Sequence, residues 1–273
     1  MCELLTLSTS QPARFTFSLH ALAARGGNTG NARDGWGVAF YQDKDVALFR
    51  EPFAAGDSAL VRYLENNGPS THLAISHIRH ATQGKVQLSN TQPFVRELGG
   101  RMHVFAHNGN LPDIERSAAF TIGHHLPVGQ TDSEYAFCAL LERLHTIYEQ
   151  PNLPSLETRM AVLVGFAADL RAIGPANFFY ADGDALFAHG DRRIQRTSGL
   201  TAAPGLWFLQ RFCPPVDDLP DRQVGVSIEM GARSAVLIAS VPLTEEDWQP
   251  MSEGELLVVR DGKVIMNRLA APE

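Results

Sequence analysis

The order of hydrophobic patterns constrains this chain more than any other feature. Strand patterns come first, two long amphipathic helices fill the middle, and strand patterns return. At the front, residues 2–7 are apolar almost from the first position, and residues 37–41 and 46–49 flank the polar turn Gln42-Asp43-Lys44-Asp45 as a hairpin would. Residues 72–79 alternate Leu73, Ile75, His77 and Arg79 against Ala74, Ser76, Ile78 and His80, the period of a strand. A further strand is expected over 102–106, ending at His107-Asn108-Gly109. Residues 15–24, stopping at Gly26-Gly27, and 58–65 read as shorter helices. In the middle, Thr131-Asp132-Ser133-Glu134 has the form of a capping box. Behind it Phe137, Leu140, Leu141, Leu144 and Tyr148 make one apolar stripe. Leu156–Ile173 is the second amphipathic stretch. Asp182-Gly183 then sits between 176–180 and 185–189, and Asp261-Gly262 between 256–259 and 264–266, each a tight-hairpin dipeptide between apolar runs. Residues 235–241 form one more apolar run. This order suggests a layered α+β domain with helices outside packed sheets.

Length and charge narrow the function classes. At roughly 150 residues per domain, 273 residues allow one large domain or two small ones. The Pro-rich link over 150–154 is too short to separate two, so one domain over residues 2–273 is expected. Lys and Arg number 23 against 30 Asp and Glu, a net charge of −7, which argues against a general nucleic-acid binder with its basic face. No apolar run approaches the roughly 20 residues of a membrane-spanning helix, and no basic segment leading into an apolar one marks a signal peptide. Cys2, Cys138 and Cys213 are odd in number and far apart. They exclude a disulfide scaffold and fit a reducing compartment, the cytoplasm by default.

Cys2 is the first residue with chemistry to offer. Met1 is normally removed when a small residue follows, and the mature chain then begins with a cysteine holding both a thiol and a free α-amine. Reference pKa values of about 8.5 and about 7.7–8.0 let the amine take the thiol proton near neutral pH, directly or through one water. Nucleophile and base then share one residue. By itself a second-position cysteine means little, and the other polar positions have ordinary readings too. Arg79 is a strand-end arginine, Thr82 a turn residue, and Asn108-Gly109 a hairpin dipeptide. Asp132 suits a helix N-terminus, Arg25 a helix C-terminus, and Trp36 a core. Two rival chemistries are weaker. A zinc site from His77 and His80, His103 and His107, or His124-His125 fails on the alternation that separates His77 from His80, and on the missing Cys or HExxH pattern. For a Cys-His hydrolase, Cys138 lies among apolar helical neighbours, where a buried structural cysteine is the ordinary reading, and Cys213 precedes Pro214-Pro215 with no candidate base nearby in sequence.

Taken in order, Cys2, Arg25-Gly26, Asp34-Gly35-Trp36-Gly37, His77-Ile78-Arg79-His80-Ala81-Thr82-Gln83-Gly84, His107-Asn108-Gly109 and Thr131-Asp132-Ser133-Glu134 resemble the class II, N-terminal-cysteine glutamine amidotransferases. Similar pieces occur in the glutaminase domains of glucosamine-6-phosphate synthase and glutamine phosphoribosylpyrophosphate amidotransferase. The short chain, Asp34-Gly35-Trp36-Gly37, and the ending around Pro242-Leu243-Thr244 and Asp247-Trp248 look closer to the small stand-alone YafJ-like members. The specific motifs lie within residues 2–134. The resemblance implies a four-layer αββα sandwich of the N-terminal nucleophile hydrolase type, and a reaction that needs no metal or organic cofactor. It implies Cys2 as nucleophile, with the Asn108 amide and the Gly109 N–H as an oxyanion hole. Arg79 becomes the bidentate clamp on the substrate α-carboxylate, aided by the Thr82 hydroxyl, and Asp132 the partner of the α-ammonium. Arg25 would support the nucleophile region, though the insertion over 27–33 separates it from Asp34. There are two departures. Synthase relatives carry a His in an Asn-x-His-Pro stretch where Asn90-Thr91-Gln92-Pro93 has Gln92, and His80 replaces the aromatic that commonly follows the substrate arginine. If those side chains shape the pocket, glutamine need not be its strict preference. The expected activity is cleavage of the γ-amide of glutamine, with ammonia passed to an acceptor on another protein. The alternatives are a hydrolase of γ-glutamyl amides in thiol or amine metabolism and a non-catalytic amino-acid-binding regulator. Nucleic-acid and membrane partners are not expected.

Overall fold

β-Branched and aromatic residues at alternate positions build two large antiparallel sheets. The computed structural model describes residues 2–14, 32–148, 152–195, 197–213 and 233–269. In chain order the strands are β1 (Glu3–Arg14), β2 (Trp36–Gln42), β3 (Asp45–Glu51), β4 (Ser70–Ile78), β5 (Phe94–Leu98), β6 (Arg101–Gly109), β7 (Ala176–Ala181), β8 (Leu186–Gly190), β9 (Arg193–Ile194), β10 (Thr201–Ala202), β11 (Trp207–Cys213), β12 (Arg233–Ala239), β13 (Gln249–Pro250), β14 (Glu255–Arg260) and β15 (Lys263–Arg268). The α-helices are α1 (Ala59–Asn67), α2 (Asp132–Tyr148) and α3 (Leu156–Ile173). One large sheet runs β13-β11-β12-β1-β4-β2-β3, the other β15-β14-β8-β7-β6-β5, and β9 and β10 pair as a separate two-stranded ribbon.

The alternation of each strand sorts its side chains into layers. Leu4, Ile75, Val104, Phe179, Ile238 and Leu257 come from both sheets and fill the space between them. The far face of the six-stranded sheet packs Phe105, Phe178, Tyr180 and Phe187 against Phe137, Leu140 and Leu144 of α2 and Leu163, Phe166 and Leu170 of α3. The far face of the seven-stranded sheet carries Leu5, Leu7, Trp36, Val38 and Phe40, covered by Val61 and Leu64 of α1 and by Trp248. The α+β sandwich of helices outside two packed sheets is therefore present.

Local expectations fare well where the signal is local. Ser58 caps α1 by accepting the Val61 N–H at 3.0 Å. Thr131 caps α2 by accepting the Glu134 N–H at 3.2 Å. The Glu134 carboxylate does not close the box on Thr131; it takes the Val128 and Gly129 N–H groups at 3.1 and 2.6 Å and pairs with Arg96. Asp261 and Gly262 both have positive φ, 51° and 67°, as a two-residue hairpin loop demands. One correction concerns Asn108-Gly109. These residues do not end β6 in a turn but continue it, paired with Asn177 and Ala176 of β7. Strands β5 and β11 were not legible in the pattern. The helix expected over 15–24, Arg25, Gly26-Gly27, Gln150, Pro151 and Pro214-Pro215 lie outside the described residues.

Candidate active site

Antiparallel register gathers the motif residues at one end of the sandwich. In the seven-stranded sheet Glu3 lies opposite Ile78 and Trp36 opposite Ile78 from the other side, while Leu5 faces Ala239. The start of β1, the end of β4, the start of β2 and the end of β12 therefore meet. Cys2 stands just ahead of β1, and Arg79 and His80 just beyond β4. In the other sheet, the end of β6 carries Asn108 and Gly109 to the same place.

Cys2 and Asn108 join the two sheets. The Asn108 side-chain amide donates to the Cys2 carbonyl at 2.6 Å and lies 3.4 Å from the Ser240 hydroxyl. The Ser240 Oγ also accepts the Leu4 N–H at 2.9 Å. The Cys2 sulfur accepts the His80 N–H at 3.1 Å and lies 3.3 Å from the His80 carbonyl, to which the thiol donates. Burial pushes the thiol pKa up, while the His80 N–H and the Arg79 charge pull the other way. Gly109 has no room for a side chain. A Cβ there would stand 1.9 Å from the Pro175 carbonyl oxygen and 2.6 Å from His107 Nε2.

Arg79 is 3% exposed. Its guanidinium donates to the main-chain carbonyls of Gln83, Gly84 and Lys85 at 2.8, 3.2 and 3.2 Å, so the following loop curls around it. Burial lowers its pKa, opposed by Cys2 and Asp34; an arginine so perturbed still keeps its charge. Thr82, on that loop, is exposed. Gln83 Nε2 donates to Asn110 Oδ1 at 3.1 Å and ties the loop to the segment after β6. Asp34-Gly35 braces the same strand end: Asp34 N–H donates to Arg79 O, Arg79 N–H to Gly35 O, and Ala81 N–H to the Asp34 carboxylate at 2.8 Å. Trp36 takes its ordinary role, buried on the outer face with Nε1 donating to Glu51 at 3.0 Å.

Asp132 opens α2 beside the end of β6. Its carboxylate accepts the Leu111 N–H and the Ser133 N–H, both at 2.8 Å. The Ser133 hydroxyl meets His107 Nδ1 at 2.9 Å. Gln92 faces His107 from the other side and binds only its main chain, with N–H to Oε1 at 2.6 Å and Nε2 to carbonyl at 3.1 Å. Thus Gln92 stands behind the end of β6 and braces its main chain. His80 differs in kind: its main chain holds the Cys2 sulfur, and its half-exposed ring lies 3.7 Å from Asp34.

The structure brings Cys2, Asn108, Gly109 and Arg79 together, and places Asp132 two residues' reach beyond Gly109. Arg25 falls outside the described residues. Sequence reasoning missed a buried set beside Cys2: Glu3 paired with Arg193 at 3.4 Å, Arg193 donating to the Ser240 carbonyl, and Asn177 donating to the Asn108 carbonyl at 3.2 Å. These residues come from opposite ends of the chain, and only an apolar strand start interrupted by a charge, Glu3, hinted at them. Among the histidines of the rejected zinc reading, both ring nitrogens of buried His77 lack a hydrogen-bond partner among the described residues, while others are held by protein groups. His103 contacts the Tyr180 hydroxyl and the Leu98 carbonyl, and His124 contacts Glu142.

Residues 1–272 match the family described as glutamine amidotransferases, class II. The chain is 34% identical over 260 residues to YafJ of Escherichia coli, covering 93% of this chain and 96% of that protein. Among solved structures, a predicted glutamine amidotransferase from Pseudomonas aeruginosa is 36% identical, with a TM-score of 0.70 and coverage of 97% of this chain and 100% of that one. Glutamine phosphoribosylpyrophosphate amidotransferase of Bacillus subtilis is 15% identical with a TM-score of 0.55, covering 98% of this chain and 49% of that one, a likeness of fold.

Proposed function

This chain belongs to the class II glutamine amidotransferases, and on that footing we propose that it cleaves the γ-carboxamide of glutamine through a thioester on Cys2. The observation that carries this reading is the meeting of Cys2 with the Asn108 amide across the two sheets, at 2.6 Å. Removal of Met1 frees the Cys2 α-amine, which takes the thiol proton as the sulfur attacks the γ-carbonyl carbon. The Asn108 amide and the Gly109 N–H donate to the oxyanion that forms. The ammonium form of the Cys2 amine returns its proton to the leaving nitrogen, and ammonia departs. Water, deprotonated by the same amine, then hydrolyses the γ-glutamyl thioester to glutamate. Arg79 holds the substrate α-carboxylate in place of the loop carbonyls it now binds, Thr82 adds its hydroxyl, and Asp132 takes the α-ammonium. One fixed cation and one fixed anion select a zwitterionic head. Arg25 is assigned to the support of the nucleophile region by family likeness alone. The ammonia is passed to an acceptor on another protein, in the cytoplasm, where Cys2 and Cys138 stay unpaired as they are here.

Intact mass and peptide mapping after incubation with a glutamine-mimicking diazoketone test this reading. The expected product is a chain lacking Met1 with one adduct, on Cys2. A processed chain that takes no label, and releases no glutamate from glutamine, would overturn glutamine as substrate and turn the search to γ-glutamyl amides of bulkier amines.

A further inference from the structure

We infer that Gln92 is a positioning residue for the oxyanion hole, setting the angle at which the end of β6 presents Asn108 and Gly109. The inference rests on the reaction proposed above. Strands β5 and β6 pair with Phe94 opposite Phe105, so two steps further on Gln92 stands opposite His107. Main-chain pairing stops short of that point, at Phe94. The Gln92 side chain supplies what the strand has lost. Its Oε1 accepts the His107 N–H at 2.6 Å and its Nε2 donates to the His107 carbonyl at 3.1 Å, the exchange that a hydrogen-bonded strand pair makes with two main chains.

The bracket falls on the residue that matters. The His107 carbonyl belongs to the same rigid peptide plane as the Asn108 N–H, so fixing it fixes the plane from which the Asn108 side chain springs. On the opposite side Ser133 holds the His107 ring at 2.9 Å, and Asn177 holds the Asn108 carbonyl at 3.2 Å. Gln92 itself is only 5% exposed and cannot trade its bonds for water. Its own backbone is held from the other sheet: a Cβ on Gly37 would lie 2.4 Å from the Gln92 carbonyl oxygen, and Arg50 donates to the Thr91 carbonyl at 2.8 Å. Gln92 therefore transmits the position of the seven-stranded sheet, which carries Cys2, to the strand that carries the oxyanion donors. A nucleophile and an oxyanion hole on different sheets need such a tie, since a misplacement of about 1 Å can cost about 100-fold in rate.

The test uses processed full-length protein with Gln92→Met, which removes both bonds, and Gln92→Glu, which keeps the acceptor and removes the donor. Three quantities are read: kcat and KM for glutamine, the rate of Cys2 alkylation by iodoacetamide, and the thermal midpoint. Alkylation needs the thiolate and no oxyanion hole, so it isolates the nucleophile. Both variants are expected to lose about 10- to 100-fold in kcat, with KM and the alkylation rate within about twofold of the parent chain. If Gln92→Met does not fold, Gln92→Glu alone decides. A kcat within about twofold of the parent chain overturns the inference, and so does an alkylation rate that falls in step with kcat, which would make Gln92 a support of the nucleophile or of the fold. If the parent chain neither turns over glutamine nor takes the diazoketone, the proposed reaction fails and the inference with it; an active parent with unaffected variants removes the inference alone.

Discussion

Glu3, next in sequence to the proposed nucleophile Cys2, is buried in an ion pair. Glu3 is 1% exposed and pairs with Arg193, 7% exposed. Arg193 also donates to the Ser240 carbonyl, and Ser240 in turn holds Leu4 and approaches the Asn108 amide. A buried ion pair is weak evidence of net stabilisation, but breaking it from one side strands a charge. Arg193→Met is expected to destabilise the fold by about 3–5 kcal/mol, read from urea unfolding. The double variant with Glu3→Gln should recover part of that loss, and a double variant no more stable than the single would show that the charge is not the cause. Asn108→Ala removes the proposed oxyanion donor together with the amide's bond to the Cys2 carbonyl. On the proposed reaction it should lower kcat by about 10²–10³-fold while KM for glutamine changes little, because Arg79 and Asp132 bind the amino-acid head. A matched rise in KM would instead place Asn108 in substrate binding.

At the scale of elements, one buried carboxylate joins three of them. Asp182, in the turn between β7 and β8, accepts the Tyr148 hydroxyl of α2 at 2.6 Å and the Arg159 guanidinium of α3 at 2.5 Å. Its other oxygen accepts the Asp184 and Ala185 N–H groups at 3.0 Å. Burial alone would raise its pKa, yet Arg159 and Tyr148 outweigh it and the carboxyl stays ionised below its ordinary range. Asp182→Ala removes the ion pair, the tyrosine's partner and the turn's acceptor together and should cost about 3–5 kcal/mol. Tyr148→Phe removes one bond to a charged acceptor and should cost about 1.5–3 kcal/mol. Equal losses in urea unfolding would mean that the knot does not lean on Arg159. The same elements show what a sequence can display. Helix α3 and the hairpins at Asp182-Gly183 and Asp261-Gly262 were legible because their signals lie within a few residues. Strand β5 was not, since five residues with a proline before them carry too little period. Asn108-Gly109 read as a turn because that dipeptide is a good turn, and only β7, far along the chain, makes it a strand. The motif residues of the site were legible as strings, but the contact of Asn108 with Ser240 spans 132 residues and leaves no local trace.

At the scale of the whole molecule, pressing two sheets and two helices together buries histidines that must stay neutral, and this sets the response to acid. His77, between the sheets, is pushed down to about 3 by burial, with His107 and Arg79 adding to the effect. His103, under the helices, falls to about 4 by burial, only partly offset by Asp182. Burial lowers His107 and His189 as well. Unfolded histidines titrate near 6.5. Between about pH 6.5 and the folded values, the unfolded chain therefore binds protons that the folded chain refuses, and stability must fall as pH falls through that window. Each such histidine contributes a limiting slope of about 1.4 kcal/mol per pH unit. The carboxylates act in the same direction but later. Asp182, held below its ordinary range, releases its contribution only once the pH drops through the unfolded carboxyl value near 4 and on towards its folded one. Urea unfolding at pH 7.5, 6.5, 5.5 and 5.0 thus separates the two classes. The expected result is a plateau above about pH 7 and a steepening decline before pH 5, steeper than one histidine alone can give. A curve flat down to pH 5 would mean that His77 and His103 bind protons in the folded chain, and that the layer between the sheets is wetter than its packing implies.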